Sequence, residues 1–401
     1  MKRIAMFTAA LTLTIAAAAG AQVSSPGAGP DPAVRAGWVF TPSVGVSETY
    51  DTNITLFGNL EPLDNNDLVS SVGPEGALTY VGRHTRFSSR YGASFLNYRT
   101  FSVFDRWNQN GQVSFRRQEN NHFDWSADTS GQAVPSTDLL LYNGIPFVQT
   151  GAITFDARGS AAYKFDARNS ISSSLQYQHV SFDLPTAAFQ RYLRGGSAIT
   201  SMNNYRRRMD ERLSIGADYR WERSQVRYDF DSATAQTIQA AVTYRITNSW
   251  GFSGGGGIAV LSANIARAGQ VAPAFNAALD HTDRGQRFHL SYMQGFLPSF
   301  GLGGTQSTRE FAASYFAPIA RRFYTDHSAT FRDDQPVVPL AGTLPLRSLR
   351  TYSSFGWLVQ RWVRIEGFYS LLSQSSLVAG GRLDRNRIGI QIVTSKPMRI
   401  D

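Results

Sequence analysis

Thr237-Ile238-Gln239-Ala240-Ala241-Val242-Thr243-Tyr244-Arg245-Ile246 is the stretch that decides the fold. Side chains of an extended chain point alternately to opposite faces. Ile238, Ala240, Val242, Tyr244 and Ile246 therefore share one face, and Thr237, Gln239, Ala241, Thr243 and Arg245 share the other. The same beat sets Trp38, Phe40, Val44 and Val46 against Thr41, Ser43, Gly45 and Ser47. It sets Phe123, Trp125 and Ala127 against Asp124, Ser126 and Asp128, and Ile388, Ile390 and Ile392 against Arg387, Gly389 and Gln391. Helical periodicity is almost absent beyond the N-terminus, so the chain reads as all-β.

The connections alternate as well. Tight turns are expected at Gly82-Arg83-His84, Gln118–Asn121, Asp166–Asn169, Ile246–Ser249, Thr282–Gly285, Ala317–Arg321 and Gln360-Arg361. Long loops are expected at Asp51–Asp67, Gly131–Gln149, Asp183–Tyr205, Leu297–Thr305 and Asp333–Leu346. A soluble sandwich has no reason to sort its connections by end, whereas an outer-membrane barrel places short turns on the periplasmic side and long loops outside. Lipid satisfies no backbone N–H or C=O, so such a sheet must close on itself. The expected fold is a single transmembrane antiparallel up-and-down β-barrel of about 18 strands, with 16 as the fallback. Residues 207–231 read either as one long strand or as a hairpin turning near Trp221-Glu222-Arg223. An even count with both ends periplasmic selects the hairpin.

Composition narrows the function classes. The 401 residues contain no cysteine, which excludes disulfide scaffolds, thiolate zinc sites and cysteine nucleophiles. A formal charge of +9 first points to nucleic acid or another polyanion. The N-terminus redirects that reading. Lys2 and Arg3 precede the apolar stretch Ile4 to Ala18, and Ala19-Gly20-Ala21 supplies small residues for cleavage, so residues 1–21 are expected to be a signal peptide. Residues 22–36, rich in Pro and Gly, are expected to be a flexible periplasmic lead-in, and residues 37–401 the barrel. No later apolar run is long enough for a membrane helix. The expected location is the outer membrane of a Gram-negative-type envelope; the expected partners are its lipid and lipopolysaccharide, with no nucleic acid.

The cations then take a new meaning. Arg86, Arg90, Arg116, Arg158, Lys164, Arg212, Arg220 and Arg227 all fall opposite apolar positions of their strands. An arginine facing lipid near mid-membrane costs about 2–4 kcal/mol, so these eight are expected to line the lumen. Guanidinium binds carboxylate and phosphate bidentately, and a wet pore lined with it favours anions. The alternative is that they pair with Glu75, Asp124, Asp128, Asp156, Asp218 and Asp229 across the lumen and hold it together. Arg206-Arg207-Arg208, read as the end of a long loop, is expected either to meet lipopolysaccharide phosphates or to form a solvated loop face. Aromatics at strand ends, among them Trp38, Tyr80, Tyr98, Trp107, Trp250 and Trp357, are expected to form interfacial girdles.

Tyr50-Asp51-Thr52-Asn53 closes the first strand, and Val72-Gly73-Pro74-Glu75-Gly76-Ala77-Leu78 places a proline within the second. On these motifs the chain resembles the outer-membrane β-barrel porins found with exopolysaccharide gene clusters (the beta-barrel porin 2 type). The matching motifs cover roughly the first 60 residues of the expected mature chain. The resemblance implies an outer-membrane barrel involved in polysaccharide export and partnered with export machinery; it brings no catalytic residues. One departure is the ending Pro397-Met398-Arg399-Ile400-Asp401, where many barrels finish on an aromatic residue.

No His-Glu-x-x-His, G-x-S-x-G or P-loop motif occurs, so no metal, cofactor or catalytic residue is expected. Gly254-Gly255-Gly256-Gly257 lies inside an alternating strand and reads as a bend, a bulge or a close approach. The expected function is a porin or exporter for anionic solutes or an acidic exopolysaccharide. The competing readings are a lipid-hydrolysing barrel using a serine with His179 or His327, and a plugged barrel serving structure or partner docking.

Overall fold

The computed structural model describes residues 36–56, 65–140, 145–183, 193–226, 232–263, 269–300, 305–337, 345–375 and 381–400. The expected signal peptide, all but the last residue of the lead-in, and Arg227 lie outside the described residues. The strands begin with β1 (Gly37–Asp51), β2 (Asp67–Val81), β3 (Thr85–Tyr98), β4 (Arg106–Gln118), β5 (Phe123–Val134) and β6 (Ala152–Lys164). They continue with β7 (Asn169–Phe182), β8 (Gly196–Arg208), β9 (Leu213–Val226), β10 (Ser232–Arg245), β11 (Trp250–Ala263) and β12 (Gln270–Asp283). The last are β13 (Gln286–Pro298), β14 (Thr305–Ala320), β15 (Phe323–Pro336), β16 (Leu346–Gln360), β17 (Val363–Ser375) and β18 (Arg382–Ser395). After a break, Met398–Ile400 resumes alongside β1 as β19.

Neighbours in sequence are antiparallel neighbours in space, and β1 pairs with both β2 and β18. The result is a closed 18-stranded barrel. Barrel strands of 12–16 residues, rising about 3.3 Å per residue and tilted by roughly 40°, are long enough to cross an apolar band of about 25 Å. Alternation sorts the two faces. Val46, Val72, Tyr91, Ile238, Ile258 and Ile388 all stand exposed on the outside, where a water-soluble sheet would have to cover them. The exterior is that of a transmembrane barrel. No described helix is long and apolar enough to cross a membrane.

The short-turn end carries a girdle of touching rings: Trp38 lies 4.9 Å from Tyr80 and 5.7 Å from Phe87, Phe115 4.9 Å from Trp125, and Phe323 6.2 Å from Trp357. Tyr98 departs from the expected girdle. It is buried inside, against Ile54 and Val69.

Three of the short turns are built alike. Asn120 Oδ1 accepts from the backbone N–H of His122 and Phe123, Asp166 Oδ1 from Arg168 and Asn169, and Asp210 Oδ1 from Arg212 and Leu213. Asn and Asp turn the chain this way because a short side-chain oxygen can replace a strand partner. In the exposed turns these bonds hold the Asp166 and Asp210 carboxyls below the ordinary range. For Asp166 the Asn169 side chain contributes most; for Asp210 the Arg212 N–H does.

The expected hairpin at Trp221-Glu222-Arg223 is corrected. These residues run straight through β9, with Glu222 buried inside and Arg223 exposed on the outer face. The strand needed for the even count is β8, Gly196–Arg208, which takes up the second half of the expected long loop Asp183–Tyr205 and runs three residues past it. Its outer face carries Ser197, Ser201 and Asn203 beside Ile199 and Tyr205, so it lacks a continuous apolar stripe; Ser173 on β7 satisfies Asn203 across the pair. The turn is at 209–212, and Arg206-Arg207-Arg208 therefore lies at the short-turn end, opposite the long loops. That placement removes the lipopolysaccharide-facing loop reading.

Candidate functional site: the lumen

The inner face of β3–β9 carries most of the cations read from the sequence. Arg90 is 2.5 Å from Glu75, and Arg116 is 3.7 Å from Asp124. Arg220 pairs with Glu222, a residue 2% exposed. Arg158 donates to Ser174 Oγ at 3.4 Å while its neighbour Asp156 accepts from Gln176 at 2.5 Å. Among the described residues Arg158 and Lys164 have no carboxylate at ion-pair distance. These five cations line one cavity of about 2120 Å³. Arg86 is on the same inward face, cross-strand from Arg116 and close to the short-turn mouth. Arg212 sits in the turn before β9 begins. Arg206, read as a loop residue, points into the cavity and pairs bidentately with Asp218. Some of the cations are thus paired with carboxylates on the same or a neighbouring strand, while Arg158, whose cross-strand neighbour is Asp128, and Lys164 face the cavity outside ion-pair distance of any described carboxylate.

The far wall, β14–β18, is organised differently. Glu366, buried, accepts from the Tyr324 and Tyr352 hydroxyls at 2.6 Å each. Arg332 lies 2.7 Å from Asp334 and 3.4 Å from Glu310, all three buried. Nearer the long loops, Arg385 and Arg387 hold Asp51 at 2.6 and 3.0 Å, and both also reach Asp138.

Asp138 comes from elsewhere in the chain. It belongs to the connection between β5 and β6, where Thr137–Leu139 forms one 3-10 turn, and that segment lies across the lumen. Arg350 Nη1 donates to the Leu140 carbonyl at 2.9 Å and its guanidinium stacks 4.7 Å over the Phe147 ring. Gln374 accepts from the Phe147 N–H at 2.7 Å and donates to the Ile145 carbonyl at 3.2 Å. On its other side the segment packs Leu139, Leu140 and Ile145 against Val180, Leu193 and Phe300, which brings parts of three long connections together. Burial pushes the Asp138 carboxyl up, but the Arg385 and Arg387 guanidiniums outweigh it and hold the group well below the usual carboxylate range. The long-loop end is therefore constricted by an ion-paired segment, and the wet cavity lies on its short-turn side.

Sequence reasoning missed Asp51, Asp138, Arg350, Arg385 and Arg387. Asp51, Thr52 and Asn53 were noticed only as a family motif. In the structure they join the two ends of the barrel: Thr52 N–H donates to the Asn386 carbonyl at 2.9 Å, and Asn53, at φ +58°, donates to the Asp384 carbonyl at 3.1 Å.

The serine–histidine candidates are on the outer face. Thr325 Oγ1 donates to the Ser354 carbonyl at 2.9 Å, so it accepts from His327 Nε2–H at 2.7 Å, and Nδ1 is left to accept from Ser353 Oγ at 3.1 Å. The relay is well formed, but the surrounding backbone is paired along β14–β16. Acyl transfer needs free donors for the developing oxyanion, and a paired ladder supplies none. His179 has no hydrogen-bond partner on Nδ1. No group of three or more His, Asp or Glu placed to hold a metal occurs among the described residues.

No protein-family model and no curated protein sequence matches the chain. Among solved structures it is similar to Acinetobacter baumannii OccAB4, at 7% identity and a TM-score of 0.45, over 92% of this chain and 100% of that one. It is similar to Pseudomonas aeruginosa OpdQ at 8% identity and a TM-score of 0.44, over 90% and 98%. It is also similar to Pseudomonas aeruginosa OccK2, solved in complex with glucuronate, at 12% identity and a TM-score of 0.43, over 90% and 98%.

Proposed function

We propose that the chain is an outer-membrane channel, exported through a signal peptide cleaved after Ala21, whose lumen passes anionic solutes. The observation that carries this reading is the cavity of about 2120 Å³ with Arg158 and Lys164 on its wall, neither of them at ion-pair distance from a carboxylate among the described residues. In water, a unit charge about 4 Å from a solute charge contributes on the order of 1 kcal/mol, enough to bias which ion enters. The polar remainder of the wall, rich in Ser, Asn and Gln, suits a hydroxylated solute. With the likeness of Tyr50-Asp51-Thr52-Asn53 to the polysaccharide-associated porins, it supports an acidic exopolysaccharide as the larger cargo, with export machinery on the periplasmic side.

The segment around Asp138 favours a second state of the same protein, in which the long-loop end is shut. Planar-bilayer recording in a salt gradient tests the proposal. The expected result is a conductance whose reversal potential reports anion preference and which glucuronate reduces. A cation-preferring or silent barrel overturns it, and silence would favour the plugged, partner-docking reading.

A further inference from the structure

The two mouths of the barrel carry their charge differently. At the short-turn end every connection, or the strand residue just before it, bears an exposed arginine. The ring runs from Arg83, between β2 and β3, through Arg168, Arg212, Arg284 and Arg321 to Arg361, between β16 and β17. The connections at residues 82–84, 246–249, 321–322 and 361–362 contain no carboxylate. Of the acids in the other turns, Glu119 lies 2.9 Å from Arg117, and Asp166 and Asp210 accept backbone N–H groups of their own turns. Glu211 and Asp283 are exposed, each next to a ring arginine in sequence.

The ring is laced to the backbone. Arg208 Nη2 donates to the Ala167 carbonyl at 2.6 Å, and Arg245 Nη2 to the Glu211 carbonyl at 2.6 Å. A carbonyl accepts the N–H without neutralising the guanidinium, and among the described residues neither arginine has a carboxylate at ion-pair distance. Arg168 and Arg208 also line the lumen cavity, so the ring opens directly onto it. Toward the long loops the inner wall is balanced instead. Arg332, Arg385 and Arg387 are each shared between two buried carboxylates.

We infer that the short-turn mouth is a capture surface for a polyanionic chain, its arginine ring drawing an acidic polymer into the lumen from that side. The inference rests on the anion-channel reading and adds the end at which a long acidic cargo is taken up. A ring of fixed charges acts on a ligand according to its valence. With a screening length of about 8 Å in physiological salt, a small monovalent ion senses one or two arginines, whereas a chain with a carboxylate on each sugar is held by several at once. The ring therefore sets how often chains enter, and the cavity cations set which small ions pass.

Single barrels in a phosphatidylcholine planar bilayer, with oligogalacturonate added to one side at a time under equal driving voltage, test the inference. Asn248 is exposed in the turn between β10 and β11, and the chain has no cysteine of its own. In a background carrying Asn248→Cys, a biotin on that thiol shows, by the current step when streptavidin is added to one compartment, which way each barrel faces. The frequency of current blockades from the short-turn side is expected to fall about tenfold between about 0.1 M and 1 M salt, and the frequency from the long-loop side to change little. The same salt dependence from both sides, in a barrel whose reversal potential still reports anion preference, would overturn the capture surface and leave the channel reading standing. A cation-preferring barrel would overturn both.

Arg83, Arg321 and Arg361 are exposed and lie outside the cavity lining. Replacing all three with serine is expected to lower short-turn capture about fivefold at low salt with single-channel conductance kept, and lysine at the same positions to restore capture. Parental capture by the serine variant would overturn the inference, and so would a lysine variant that captures no better than serine. Should the serine variant capture like the parent but insert poorly into vesicles containing phosphatidylglycerol, the ring would belong to anionic headgroups and the inference would again fail.

Discussion

The two walls of the lumen hold their charges in opposite ways. On β3–β9 the cations are partly exposed, each pairs with a carboxylate on the same or an adjacent strand or with none, and they line the lumen cavity. On β14–β18 the inward charges described above are buried, and two of them, Arg385 and Arg387, close around Asp138, which comes from the connection between β5 and β6. A solvated pair contributes little, about 0–1 kcal/mol, whereas removing one member of a buried pair costs about 3–5 kcal/mol because the remaining charge is stranded. The first wall is therefore free to interact with solutes. The second is committed to holding a segment of the chain.

The largest effect should come from Asp138→Asn. The substitution keeps the shape and leaves Arg385 and Arg387 to share Asp51 alone, at a cost of about 3–5 kcal/mol. We expect faster amide exchange across 135–140 and a higher bilayer conductance. Unchanged exchange would mean that the apolar contacts of Leu139, Leu140 and Ile145 hold the segment by themselves. Acid should reproduce the change. The folded Asp138 carboxyl is held far below its unfolded value, so its contribution is fully present above about pH 4 and fades only as the pH falls below that. Conductance that stays flat from neutral pH to about pH 5 and rises under stronger acid would match this sign.

These two walls also mark how far the sequence could be read. Alternation is local, so it exposed the barrel, the short and long connections, and the inward side of Arg90, Arg116, Arg158, Lys164 and Arg220. Asp51, Asp138, Arg385 and Arg387 meet only because the barrel closes and one connection lies across it, over sequence separations that no local period encodes. The misplacement of β8 has a simpler cause. Its outward serines and asparagine broke the apolar stripe, while the charged run at Trp221-Glu222-Arg223 imitated a turn. A turn signal was present nonetheless: Asp210-Glu211-Arg212 repeats the arrangement of Asp166-Ala167-Arg168.

A smaller effect should follow from changing the solvated wall. Replacing Arg158 and Lys164 together with serine removes two cavity cations that have no carboxylate at ion-pair distance among the described residues. At about 1 kcal/mol per charge in water, anion preference should fall roughly fivefold for each, read as a shift in reversal potential with thermal stability nearly unchanged. Arg212→Ser is the internal control, since that residue lies in the turn, and its reversal potential should match the parent. An equal shift in the control would mean that selectivity arises at the short-turn mouth, and the contrast between the two walls would lose its functional meaning.

The smallest effect should come from Asp210→Ala. Its Oδ1 receives two backbone N–H groups in an exposed turn, where water can replace the lost acceptor, so the penalty is confined to holding β8 and β9 at the correct entry angle. We expect a slightly lower thermal midpoint, slower recovery of the folded barrel after dilution from urea into detergent, and parental conductance and selectivity. Altered selectivity would show that the turn positions Arg206 and Asp218 on the cavity wall. The solvated wall would then depend on its turn as the buried wall depends on Asp138, and the two would differ in degree of exposure alone.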